Sequence, residues 1–180
     1  MNPKKFVMAG SAGFIAERHM RAIKETGNDL VACFDPFDVM GRIDSYFPDA
    51  EFFKYLVDFG YYIKNNKIDY LIICSPNNTH IGFCKAGLLY NIDIICEKPL
   101  TINEDELNFL KNEEKKSKGK INTILQLRLH PKIIELKKMV DENPDKYFKI
   151  DLEYITARGK WYYESWKPGE VDFVEIDYLF

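Results

Sequence analysis

Phe6-Val7-Met8-Ala9-Gly10-Ser11-Ala12-Gly13-Phe14-Ile15-Ala16 is the stretch whose reading decides the fold. Four apolar residues able to form a buried strand break at Gly10, and an apolar-periodic stretch begins by Ile15. Strand, glycine turn and helix start, in that order, open a dinucleotide-binding βαβ unit. Gly10 allows the tight turn, Gly13 removes a side chain where main-chain N–H groups approach a pyrophosphate, and Ala16 keeps the helix close to the sheet. The helix N-terminus adds partial positive charge for the phosphates. The spacing is G-x-x-G-x-x-A rather than G-x-G-x-x-G, so the turn taken alone is equally a plain strand–helix connection. Asp35 adds to it. This residue closes the next apolar run, Leu30-Val31-Ala32-Cys33-Phe34, and lies 22 residues beyond Gly13. A carboxylate there accepts from a ribose 2′-hydroxyl and repels a 2′-phosphate, which points to NAD.

Outward from that unit the same alternation continues. Helical periodicity covers Ile15 to Glu25, with Ile15, Met20 and Ile23 on one face. The stretch Phe37 to Phe53 is mixed and rich in turn residues and shows no clear element. Lys54 to Asn65 reads as a helix, Tyr70 to Cys74 as a strand, Thr79 to Tyr90 as a helix and Ile92 to Cys96 as a strand. Continuous rather than alternating apolar strands predict a parallel sheet covered on both faces, a Rossmann-type doubly wound α/β fold. After Pro99, Thr101 and Glu104 fit a capping box, with a helix closing near Gly119. Ile121 to Leu127 reads as a strand, and Pro131 to Glu142 as a helix opened by proline. Asn143-Pro144-Asp145 is a turn and the expected boundary: residues 1–145 form the nucleotide-binding domain. Residues 146–180 begin a second, mostly antiparallel α+β domain, in which Phe148 to Ile155 alternates as a half-exposed strand.

Composition narrows the function class. Hydrophobic residues make up 46% of the 180 and charged residues 29%, an ordinary globular balance. The net charge of −3 gives no general attraction to nucleic acid or anionic membrane. Cys33, Cys74, Cys84 and Cys96 contain no C-x-x-C pair, so they read as reduced structural thiols, with no metal site expected. No signal peptide and no membrane-length apolar run is legible, and a cytoplasmic protein is expected.

In an open α/β sheet ligands bind beyond the carboxyl ends of the strands. Asp35, the run Ser75-Pro76-Asn77-Asn78-Thr79-His80, and Glu97-Lys98-Pro99 all fall at such ends. Lys98 stands between a buried strand and a proline; beside a cofactor it could polarise or deprotonate a sugar hydroxyl, and otherwise it pairs with Glu97 at a loop. His80 opens a helix and is read as a site residue or as a satisfied polar group. Gln126, Arg128 and His130 alternate along the end of the expected 121–127 strand, with Arg128 suited to a carboxylate or phosphate, or they form the polar face of an edge strand. The segment from Arg158 to Lys167, with Trp161 and Trp166, mixes aromatics and cations that suit stacking on a sugar or nicotinamide, or a core.

These residues together, Gly10-x-x-Gly13, Asp35, Cys74-Ser75-Pro76-Asn77 with His80, and Glu97-Lys98-Pro99, resemble the glucose–fructose oxidoreductase / inositol dehydrogenase family. Within it, the strings HMRAIKETGN, CEKPL, ILQLRLHP and YITARGKWYYESWK are similar to those of bacterial UDP-N-acetylglucosaminuronate 3-dehydrogenases. The resemblance implies oxidation of the 3-hydroxyl of a UDP-linked N-acetyl amino sugar in lipopolysaccharide biosynthesis, with NAD as cofactor and 2-oxoglutarate as the acceptor that reoxidises it. It further implies a homo-oligomer. Carried onto this chain, it places Gly10, Gly13, Phe14, Ile15, Asp35, Ser75, Pro76, Asn77, His80, Glu97, Lys98, Gln126 and Trp166 around the cofactor. Lys98 is the implied catalytic residue, and Lys98, Arg128, Arg158 and Trp161 are the implied substrate contacts. The family continues after Lys167 through a glycine-rich turn to a helix bearing a histidine. Pro168 to Phe180 does not follow that pattern, so an incomplete substrate domain is the expectation. A non-catalytic NAD-binding module, or a doubly wound protein that uses its turn for another nucleotide, stay open as alternatives.

Overall fold

Val7, Met8 and Ala9 have no exposed surface, which makes β1 (Lys5–Ala9) the central strand of a sheet buried on both faces. The computed structural model describes residues 2–37, 40–151 and 153, and the chain divides into two compact units, Met1–Ile124 and Leu125–Phe180. The first unit holds a six-stranded sheet of order β3-β2-β1-β4-β5-β6, every pairing parallel. Its further strands are β2 (Asp29–Phe34), β3 (Glu51–Phe53), β4 (Tyr70–Ile73), β5 (Asp93–Cys96) and β6 (Ile121–Thr123). Between them run α1 (Ala16–Glu25), α2 (Met40–Asp44), α3 (Leu56–Asn65), α4 (His80–Leu89) and α5 (Glu104–Lys116). The doubly wound sheet and the covered strands agree with the reading of continuous apolar runs.

Alternate residues of each strand feed two cores. Phe6, Met8, Ile72 and Cys74 pack with Ala16, Met20 and Ile23 of α1 and with Ile43 of α2. Val7, Ala9, Leu71, Ile73, Ile94 and Cys96 pack with Phe59 and Ile63 of α3, Cys84 and Leu88 of α4, and Leu110 of α5. The chain builds outward from β1 through β2 to β3, then returns to lay β4 on the other side of β1. The β1/β4 junction is therefore the topological switch point, where such sheets bind ligands.

Three local readings are corrected. Asn103, not Thr101, caps α5: its Oδ1 accepts from Glu106 N at 2.9 Å, and Glu106 Oε2 accepts from Ile102 N at 3.4 Å. Asn103 is still extended, which delays the helix by one short step. Gly119 does not close α5, whose last cap is the extended Ser117; a Cβ on Gly119 would strike the Ile92 carbonyl, so glycine is there for close approach. The expected strand Ile121 to Leu127 stops at Thr123, and Gln126–Leu129 forms a 3₁₀ turn. With three residues per turn, Gln126 and Arg128 do not share a side as they would on a strand. Within Phe37 to Phe53, where no element is readable from the pattern, α2 and β3 form.

In the second unit α6 (Pro131–Asp141) follows that 3₁₀ turn. Proline opens it, and His130 Nδ1 accepts from Lys132 N at 3.2 Å. Lys146 N donates to Asn143 O at 3.1 Å, closing the expected turn around Pro144. Phe148 to Asp151 take part in no strand; the rest of the expected 148–155 strand falls mostly outside the described residues. All four cysteines are free and buried. Among the described residues no helix is long and apolar enough to cross a membrane, and no three metal-ligating side chains converge.

Candidate active site at the strand ends

Main-chain hydrogen bonds continue past the strands and place each loop residue. Gly10 N donates to Phe34 O at 2.9 Å, Asp35 N to Phe53 O at 3.1 Å, Cys74 N to Ala9 O at 2.8 Å and Glu97 N to Ile73 O at 2.9 Å. The glycine turn, Asp35, the Ser75 loop and Glu97 thus sit along one edge, at the carboxyl ends of β1, β2, β4 and β5.

The glycine turn packs directly on the Ser75 loop. Gly10 has φ +84°, and a Cβ there would collide with the Ser75 and Cys74 main chain. A Cβ on Gly13 would come within 3.1 Å of both the Cys74 and Gly10 carbonyl oxygens. Ala16 has no exposed surface, as a close helix–sheet contact requires. Ile15, the residue before α1, offers no side-chain cap, while the neighbouring Ser11 hydroxyl is fully buried without a hydrogen-bond partner among the described residues. A buried orphan hydroxyl beside an uncapped ten-residue helix fits a dinucleotide's phosphates, so the residues present suit the cofactor. Phe14 is 87% exposed at the outer rim of the turn, and Ile15 packs partly against the α1-side core.

Asp35 is buried. Its Oδ2 accepts from Ala12 N at 2.8 Å and its Oδ1 from Phe37 N at 3.0 Å. Each carboxylate oxygen has a second lone pair, so Asp35 can brace the glycine turn and still accept from a ribose hydroxyl. Arg42 of α2 donates from Nη1 to the Ala12 and Gly13 carbonyl oxygens at 3.1 and 3.2 Å. Nothing in the sequence pattern marks Arg42, which lies in the stretch that has no readable period.

Around β4 and β5 two histidines define the geometry. His80 is buried, with Nδ1 2.7 Å from the Pro99 carbonyl and Nε2 2.9 Å from the Ser75 carbonyl. Both neighbours are carbonyl acceptors and a neutral ring carries one N–H, so the ring sits between the two loops and donates to one of them, the shorter contact being the one to Pro99. Thr79 Oγ1 donates to Ser75 Oγ at 2.6 Å within the short turn Asn77–Thr79, leaving Pro76 exposed and Asn77 half-buried. Glu97 is buried, and its Oε1 accepts from His19 Nε2 of α1 at 2.8 Å. His19, 78 residues away, is a partner of Glu97 that no local spacing in the sequence marks. Lys98 is half-buried between Glu97 and the buried Pro99. Gln126 and Arg128 lie in the 3₁₀ turn of the second unit, and Arg158, Trp161 and Trp166 lie outside the described residues.

Residues 4–124 match the GFO/IDH/MocA family, an oxidoreductase family with an NAD-binding Rossmann fold. A WlbA (WbpB) dehydrogenase from Thermus thermophilus, solved with NAD and α-ketoglutarate, is 39% identical with a TM-score of 0.83, covering 93% of this chain and 55% of that one. A structure of WlbA (WbpB) dehydrogenase from the same organism with NAD and UDP-GlcNAcA gives 36% identity and a TM-score of 0.83, covering 96% of this chain and 59% of that one. An inositol 2-dehydrogenase of Salmonella typhimurium is 27% identical over 136 residues, 72% of this chain and 39% of that protein. The chain thus spans a little over half the length of the solved dehydrogenases and about two-fifths of the inositol enzyme.

Proposed function

The chain belongs to the GFO/IDH/MocA oxidoreductase family and carries its NAD-binding Rossmann fold, and from that premise we propose an NAD-dependent dehydrogenase acting on the 3-hydroxyl of a UDP-linked N-acetylglucosaminuronate. The observation that carries this reading is Lys98 set at the end of β5, in one row with the glycine turn and Asp35, in a chain 39% identical to a dehydrogenase solved with NAD. The 36% identity to a WlbA structure holding UDP-GlcNAcA supports the sugar class. The Ser11 hydroxyl, the α1 N-terminus and Asp35 would hold NAD, and Arg42 would keep the turn closed around it. When bound, the nicotinamide supplies the carbon that accepts a hydride. Lys98 Nζ takes the hydroxyl proton while the C3–H pair leaves, so the secondary alcohol becomes a ketone. The proposal includes reoxidation by 2-oxoglutarate, a homo-oligomeric assembly, a cytoplasmic setting and a role in lipopolysaccharide sugar synthesis. It keeps the boundary near residue 145 for the substrate-binding part.

The test is a fluorescence titration of the full chain with NADH and NADPH, followed by turnover of UDP-GlcNAcA with 2-oxoglutarate. NADH should bind more tightly than NADPH, and Asp35→Ser should narrow that difference. Lys98→Ala should abolish hydride transfer and leave NADH affinity nearly unchanged. Retained turnover in that variant overturns the role given to Lys98. NADH binding without turnover of any nucleotide sugar favours a binding module over an enzyme.

A further inference from the structure

Lys98 stands between two residues that are each held by a histidine, and the two histidines come from opposite faces of the sheet. From the α1 side, His19 Nε2–H donates to Glu97 Oε1 at 2.8 Å, with the two side chains only 13% and 11% exposed. From the α4 side, the buried His80 ring spans 2.7 Å to the Pro99 carbonyl and 2.9 Å to the Ser75 carbonyl. Glu97 N is bonded in turn to Ile73 O at 2.9 Å. The segment from 97 to 99 is thereby fixed at a main-chain nitrogen, a carboxylate and a carbonyl, and the Lys98 side chain projects from this fixed base.

Stability alone does not account for this arrangement. Desolvation of a buried carboxylate and imidazole opposes their attraction, and well-packed apolar residues of similar volume often hold a helix on a sheet equally well. In some proteins such a pair serves instead to fix a position.

We infer that His19, acting through Glu97, and His80, acting through Pro99, are positioning residues that hold Lys98 at the strand-end crevice. The inference rests on the reading of Lys98 given above, and it adds two residues for which nothing else assigns this part.

The experiment is lysine-selective ¹³Cε NMR of the full chain, with the Lys98 signal identified by its loss in Lys98→Met. In the unsubstituted protein that signal should stand apart from the exposed lysines and move on addition of NADH. His19→Ala and Glu97→Gln should each return it toward the exposed-lysine position in the absence of nucleotide, and His19→Ala should change NADH affinity little. His19→Gln, whose side-chain amide can still donate to Glu97, should restore most of the displacement. A purely structural His19 would lower the melting temperature and leave the Lys98 signal where it was, and that result overturns the inference. So does a Lys98 signal already merged with the exposed lysines in the unsubstituted protein. Should His19→Ala fail to fold, Glu97→Gln decides by the same criterion. A signal that responds to His19→Ala but not to NADH keeps the positioning and removes the catalytic reading instead.

Discussion

Helices α1 and α6 are of nearly equal length, ten and eleven residues, yet they are held by opposite means. Helix α1 has no side-chain cap at its start and buries Ala16, Met20 and Ile23 against the sheet. Helix α6 begins with proline behind a His130 cap and buries no residue among those described. Lys132–Glu135, Lys137–Asp141 and Lys138–Glu142 pair along its surface, at 3.2, 2.9 and 3.7 Å. A helix that covers a sheet can leave its N-terminus open for a ligand, because packing holds it. A helix without such packing depends on caps and pairs worth tenths of a kcal/mol each.

The contrast breaks most readily at Gly10. Alanine there must adopt φ +84° and collide with the Ser75 main chain, so Gly10→Ala should cost about 3 kcal/mol or more and abolish NADH binding. Urea unfolding and NADH titration read both effects; a stable variant that still binds NADH would mean that the turn and the Ser75 loop are not in contact. Next in size, Met20→Ala empties a fully buried site on α1 and should cost about 2–5 kcal/mol. Met139→Ala on α6, where the side chain is 43% exposed, should stay below about 1 kcal/mol. Equal losses at the two positions would show that α6 is packed as firmly as α1.

Alkaline pH separates the two regions without mutation. Burial pushes the Cys33 thiol up to about 12. Burial, then Glu97 and Cys33, raise Cys74, while a hydrogen bond with Cys84 and burial raise Cys96. All three lie in the first unit. Below the ordinary thiol value of 9.0 both folded and unfolded chains hold these protons, so nothing is lost. Above it only the unfolded chain releases them, and stability falls with rising pH by about 1.4 kcal/mol per unit for each thiol. The urea midpoint of the sheet should therefore drop between pH 8 and pH 10, and a flat profile would mean that solvent reaches the thiols. The smallest effect is at Lys137→Ala, which removes one exposed pair and should change α6 helicity only slightly, by about 0.3–0.5 kcal/mol, less in high salt.

Periodicity and turn chemistry make much of the first unit legible from the sequence. Strands β1, β2, β4 and β5 each contain an unbroken apolar run, and Gly10, Asp35 and Glu97-Lys98-Pro99 follow the runs of β1, β2 and β5 where a strand must end. Strand β3 is not legible because three residues are too few to show a period. The α5 cap is ambiguous because Thr101-x-x-Glu104 and Asn103-x-x-Glu106 fit the same local rule, and one local rule cannot choose between overlapping matches.

By itself the sequence determined the order of elements, the doubly wound sheet and the row of polar residues at its carboxyl edge, because these depend on patterns within a few residues of one another. Tertiary structure alone decided what each polar residue holds. Arg42 reaches the turn at Ala12 across 30 residues, Asp35 braces it across 23, His80 reaches Pro99 across 19, and His19 meets Glu97 across 78. No local spacing encodes such pairs, because they exist only once the parallel strands have brought their loops to one edge and the helices have closed on either face.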